Sequence, residues 1–107
     1  MPKFDTGLEN LYRARITNEG KYSVLCFSLD SIPLLQPVSL IKIDAEGHDL
    51  QVLEGAQELL RRSRPILIVE ATLDDEIARW IAAHGYTVSK AEPDSPNIVA
   101  RPMAAAF

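Results

Sequence analysis

The spacing of apolar residues changes along the chain, and each change of period marks an element. In residues 38–44 (Val-Ser-Leu-Ile-Lys-Ile-Asp) apolar side chains fall on both faces of an extended chain, the pattern of an interior strand in a sheet covered on both sides. From residue 49 to 62 the period lengthens. Leu50, Leu53, Ala56 and Leu60 recur at helical steps, with Val52 and Leu59 widening the stripe, which predicts one amphipathic helix. Asp49 and Glu54 lie toward its start, and Arg61, Arg62 and Arg64 at or just past its end, all favourable for the helix dipole. Pro65 forbids continuation. Residues 66–70 (Ile-Leu-Ile-Val-Glu) read as a second buried strand. Residues 75–84 read as a second helix, capped by Thr72 or Asp74, with Ile77, Trp80 and Ile81 facing inward. Gly85 stands where a left-handed C-terminal cap belongs. Residues 86–89 and 97–101 are strands joined by a turn holding two prolines, and Pro102 stops the last of them.

Upstream the pattern is weaker. Residues 1–21 are polar and broken by Gly7, Asn10, Asn18 and Gly20. A strand over 11–16, a turn over 18–21 and a strand over 22–29 make a hairpin. Asp30 suits the N-cap of a single helical turn before Pro33 and Pro37. From residue 38 the order is strand, helix, strand, helix, strand, strand. Strand-helix-strand units this short imply right-handed crossovers and parallel pairing, while the last two strands pair antiparallel. The expected architecture is α/β, a mainly parallel sheet with an antiparallel C-terminal edge.

Composition narrows the class. At 107 residues the chain has room for one domain. An apolar share of 47% and a charged share of 24% are those of a globular protein. The formal net charge of −4 argues against nucleic acid or an anionic membrane as partner. Cys26, the single cysteine, cannot form an internal disulfide; within an apolar run it reads as a small buried hydrophobe in a reducing, cytoplasmic setting. No apolar stretch approaches the ~20 residues of a membrane span.

Ligands of open α/β sheets gather beyond the carboxyl ends of the parallel strands. Both such ends carry acid in this chain: Asp44 with Glu46 and the turn-permitting Gly47, and Glu70. If the two strands are neighbours, Asp44, Glu46 and Glu70 share one rim. They can then act as a general base toward a hydroxyl, bind a cationic group, or hold a divalent ion. The plainer alternative is that strand-end acids cap the next helix or solvate the loop. His48 adjoins the acidic loop as a base or ligand contact, or as a polar helix-start residue. Lys42 either pairs with an acid at the rim or extends past the sheet edge. His84 complements the dipole at a helix end. Glycine-rich phosphate loops, zinc-type Cys/His spacing and a nucleophile elbow are all absent from the sequence.

The run Leu40-Ile41-Lys42-Ile43-Asp44-Ala45-Glu46-Gly47-His48-Asp49-Leu50-Gln51-Val52-Leu53-Glu54-Gly55-Ala56 resembles the signature segment of FkbM-type methyltransferases. Its context agrees: Leu29-Asp30 upstream, the strand following Arg64-Pro65, Gly85-Tyr86, and Asn97-Ile98-Val99-Ala100. The likeness runs from residue 22 to 101 and leaves 1–21 as an N-terminal extension of a single domain. It implies a partial, Rossmann-like methyltransferase fold, S-adenosylmethionine as methyl donor, and O-methylation of a sugar or other small-molecule hydroxyl. Asp44, Glu46 and Glu70 would be the catalytic acids, and Lys42 and His48 would contact the acceptor.

The family's first three strands, with their glycine-rich cofactor loop, have no counterpart in the sequence. The resemblance therefore covers the C-terminal half of a domain, and cofactor binding belongs to the complete version. Without those strands, residues 38–44 form an apolar sheet edge, which invites self-association unless the N-terminal hairpin folds back over it. Two other readings stand beside the methyltransferase one: a non-catalytic oligomeric α/β module, and a small-ligand or metal-binding protein using the acidic rim.

Overall fold

The computed structural model describes residues 3–5, 15–17, 22–23 and 25–104. Its main unit is a four-stranded sheet built from β4 (Leu40–Ile43), β5 (Ile66–Glu70), β6 (Tyr86–Lys90) and β7 (Asn97–Pro102), in the order β4-β5-β7-β6. Three helices join its strands: α1 (Asp49–Glu54) and α2 (Gln57–Ser63) between β4 and β5, and α3 (Glu76–Ala83) between β5 and β6.

The β4–β5 ladder is parallel, whereas β7 pairs antiparallel with both β5 and β6. Three strands thus run the same way, as the alternation of strands and helices requires. The sheet is nonetheless mixed rather than mainly parallel, because β7 inserts between β5 and β6. The antiparallel strand is interior, and β6 is outermost on that side. The insertion keeps the short hairpin from β6 to β7, where Ala91 N–H donates to Asn97 carbonyl at 3.1 Å, and gives β7 two partners instead of one.

Alternation along the strands sorts the sheet into two unlike faces. Ile43, Leu67, Val69, Ile98, Ala100 and Tyr86 are buried and pack with Leu53, Leu59, Leu60 and Ile81 of the helices. On the other face Leu40 is 54% exposed and Ile66 37%, with Lys42 and Glu70 exposed and Ile68 and Val99 half-buried. The apolar crowding of β4 and β5 suggested helices on both faces; among the described residues only one face is covered. β4 lies at the edge instead of the interior.

The helix expected over residues 49–62 is two helices. Gly55 and Ala56 leave helical geometry between them, and the reason lies upstream. Asp30 carboxylate accepts the N–H groups of Glu58 at 3.0 Å and Leu59 at 2.9 Å, the donors that an N-cap side chain of α2 would satisfy. Ala56, which occupies the cap position, has no such group. Asp30 N–H in turn donates to Gly55 carbonyl at 2.9 Å. A Cβ on Gly55 would stand 3.0 Å from Ser28 Cβ, so glycine is what allows the close approach. Asp30 therefore caps a distant helix rather than its own turn, Leu29–Ser31.

Arg64 closes the other end. It adopts a left-handed conformation (φ 49°), and its guanidinium donates to the carbonyls of His84 (3.1 Å) and Gly85 (2.6 Å). A cation at this point complements the C-terminus of α3 rather than that of its own helix. It also lies over the Tyr86 ring, 4.8 Å from the centroid, and Tyr86 hydroxyl donates to Pro65 carbonyl at 2.8 Å. Neither Thr72 nor Asp74 caps α3; Asp75 does, accepting Ile77 N–H at 3.0 Å. Within α3, Ile81 and Ala78 are buried, Ile77 and Trp80 half-buried. Trp80 and His84 stack with ring centroids 3.7 Å apart. Gly85 has the left-handed conformation its position called for (φ 87°).

The N-terminal strands form a separate three-stranded sheet in the order β2-β1-β3, from β1 (Lys3–Asp5), β2 (Arg15–Thr17) and β3 (Tyr22–Ser23). The expected hairpin between residues 11–16 and 22–29 is not formed, because β1 lies between β2 and β3 and pairs antiparallel with both. Residues 11–14 and the turn 18–21 of that expectation lie outside the described residues. These strands pair with one another, and none of them covers β4. Cys26 is exposed, since β3 ends at Ser23 and residues 25–28 join no ladder that would bury it. No helix among the described residues is long and apolar enough to cross a membrane.

Candidate functional site

The carboxyl ends of β4 and β5 meet at one rim. Ile43, 5% exposed, stands opposite Val69 in the parallel register, and one step further come Asp44 and Glu70. Glu70 is itself paired with Asn97, the first residue of antiparallel β7. Directly paired residues share a face, so Glu70 and Asn97 stand together on the open side, and Asp44 follows β4 at the same end of the sheet. Both acids are exposed and Asn97 is half-buried. Lys42, also exposed, stands on the same face two residues before Asp44 and diagonal to Glu70, a separation that a lysine can span. Among the described residues the one ion pair is Arg61–Glu58, so Lys42 is not paired with either acid.

The turn after β4 is held in an uncommon shape. Glu46 (φ 41°) and Gly47 (φ 91°) are both left-handed. Glycine adopts this at no steric cost, but a residue with a Cβ loses roughly 1–2 kcal/mol. Something must hold Glu46 there, and Ala45 is clamped on both sides. Its N–H donates to Asp49 Oδ1 at 2.8 Å, and its carbonyl accepts His48 N–H at 3.0 Å. Asp49, 8% exposed, is the buried charged residue of the described core. The clamp fixes how the backbone leaves Asp44 and presents Glu46 to solvent.

His48 occupies the cap position of α1 without a side-chain hydrogen bond. Its Nδ1 is buried and has no partner, so a contact with a ligand would fall to Nε2. Among the described residues no three of His, Cys, Asp and Glu are grouped to hold a metal ion. Asp44, Glu46 and Glu70 share a rim but do not form a cage.

Lys42 and Glu70 lie on one face of the β4–β5 pair, Asp44 follows β4 at the same end of the sheet, and Glu46 and His48 stand in the adjoining turn. Asn97 and Asp49 belong with them, and the sequence pattern does not single out either as a site residue. Asn97 joins only because β7 inserts beside β5, which residue order along the chain does not reveal. Asp49 stands where a first-turn acid is common, and its spacing of four from Ala45 fits that reading equally well.

Two exposed carboxylates and a carboxamide at one rim can meet hydroxyl groups or a cationic group. The carboxylates accept from hydroxyls, while the amide both donates and accepts. Residues 3–88 match the family model of the methyltransferase FkbM domain, so the match includes much of the weakly patterned stretch before residue 22. Comparison with curated proteins and with solved structures finds no match. The matched span covers well over half of the chain, and the protein belongs to the FkbM methyltransferase family.

Proposed function

We propose that the chain provides the acceptor side of a methyl transfer to a hydroxyl oxygen of a sugar or other small molecule. The four-stranded sheet is then the C-terminal part of a Rossmann-like methyltransferase fold. Its parallel β4–β5 pair and the antiparallel strand inserted before β6 fit that architecture. Asp44 accepts the hydrogen bond of the reacting hydroxyl and takes its proton as the oxygen becomes nucleophilic. Glu70 and Asn97 hold neighbouring hydroxyls, Lys42 lies behind them on the same face, and Glu46 and His48 border the site from the turn.

Methyltransferases of this kind use S-adenosylmethionine as donor. The roles of Asp44, Glu70, Asn97 and their neighbours are assigned here to the acceptor.

What supports the reading most is the parallel register that pairs Ile43 with Val69, so that Asp44 and Glu70 follow at the same end of the sheet. It is tested by isothermal titration of the chain with a panel of polyhydroxylated acceptors. Asp44→Ala removes one hydrogen-bond acceptor and should weaken about tenfold the binding of the compound that the wild type takes. Unchanged affinity in that variant, or no heat from any acceptor with the wild type, would overturn the proposal.

A further inference from the structure

Asp49 opens α1, yet its hydrogen bond leaves the helix. A first-turn acid ordinarily complements the free amides of its own helix. Asp49 Oδ1 instead accepts Ala45 N–H at 2.8 Å, four residues back and before the helix begins. The residue is 8% exposed, and among the described residues no cation pairs with it. Burying a carboxylate without a countercharge is unfavourable. What this acid maintains is therefore the turn rather than the helix.

The turn itself is strained at one residue. Gly47 (φ 91°) lies in open space, since a Cβ there would meet no atom within 4 Å, so only the hand of the backbone calls for glycine. Glu46 (φ 41°) is left-handed too, at a position where glycine or asparagine would cost less. Among the described residues one other side chain stands on a left-handed backbone, that of Arg64. Its guanidinium is used twice in the fold, on the carbonyls of His84 and Gly85. The Glu46 carboxylate is exposed and makes no ion pair among the described residues. Strain of this kind persists where a side chain is used, and the use of Glu46 lies outside the fold, two residues past Asp44 at the end of the sheet that carries Glu70.

We propose that Asp49 is a positioning residue: it holds the turn left-handed, so that Glu46 accepts a hydrogen bond from an acceptor hydroxyl beside Asp44. Asp49 does not touch the acceptor and acts through the backbone of residues 45 and 46. Glu46 is kept for this contact at a cost in stability. This role rests on the reading of the rim as the acceptor side of a methyl transfer.

Stability, turn geometry and binding then respond differently to substitution. A positive φ brings a residue's amide and α protons close together, so the strength of the nuclear Overhauser contact within Glu46 reports the hand of the turn. The wild type should show a strong contact. Asp49→Ala should lose it and bind the acceptor found by titration about tenfold more weakly. Asp49→Asn, whose amide oxygen can accept the same N–H, should keep the contact and most of the affinity. Glu46→Gly should raise the calorimetric thermal midpoint by about 5 °C through relief of strain, yet weaken binding about tenfold. A residue of merely structural value at position 49 would lower the midpoint and leave the affinity of the folded variant unchanged. A strong Glu46 contact that survives in Asp49→Ala, wild-type affinity in a variant that has lost it, or Glu46→Gly binding as well as the wild type would each overturn the proposal. The proton contact needs no ligand, so it decides the part played by Asp49 even if the acceptor reading of the rim fails.

Discussion

Tyr86 shows how a single side chain ties three elements together. Its ring is 3% exposed and lies beneath the Arg64 guanidinium, while its hydroxyl donates to the carbonyl of Pro65 at the entry to β5. Burial raises the phenol's pKa above its usual value, and the nearby Arg64 cation offsets part of this. The folded protein thus holds the tyrosine proton more tightly than the unfolded chain. That contribution is fully present below about pH 10, the unfolded value, and is lost as pH rises through the folded one. Tyr86→Phe leaves the Pro65 carbonyl without this donor and should cost about 1 kcal/mol at pH 7 by urea denaturation. The gap between wild type and variant should narrow above pH 10, since only the wild type can lose this proton. A gap that stays constant to pH 11 would show that the hydroxyl is not buried as described. None of this is readable from the run Gly85-Tyr86-Thr87, in which Tyr86 looks like any inward-facing strand residue.

At the scale of elements, the sequence is informative where a residue's environment is set by its neighbours in the chain. Residues 66–70 form β5 with the expected limits, because a β-branched run bounded by Pro65 has few other options. The stripe from Leu50 to Leu60 is legible as helical but not as interrupted. The cause of the interruption, Asp30, lies 28 residues before the first amide it accepts. No helical periodicity can report a cap supplied from so far away. Asp30→Ala should therefore destabilise the chain by about 1–2 kcal/mol, the usual loss for an N-cap carboxylate, although Asp30 is exposed and lies outside α2. Asp30→Asn should lose less, because its amide oxygen can still accept. Equal urea midpoints for wild type and Asp30→Ala would remove the cap from the account of the break. The same limit explains the sheet. Chain order gives three strands a common direction, yet whether β7 joins outside β6 or inside it depends on pairing between distant segments.

For the molecule as a whole, the acidic rim is legible from two strand ends. Its pairing with Asn97 and its place at a sheet edge are not, since both depend on strand order. The same edge makes a prediction that hydrogen exchange can resolve amide by amide. In dilute solution the N–H groups of Ile41 and Ile43 face β5 and should exchange slowly, along with the central amides of β5 and β7. Those of Leu40, Lys42 and Asp44 face outward and should exchange fast. Protection of Leu40 and Lys42 as strong as that of Ile41 and Ile43 would show that a further segment pairs with the outer side of β4.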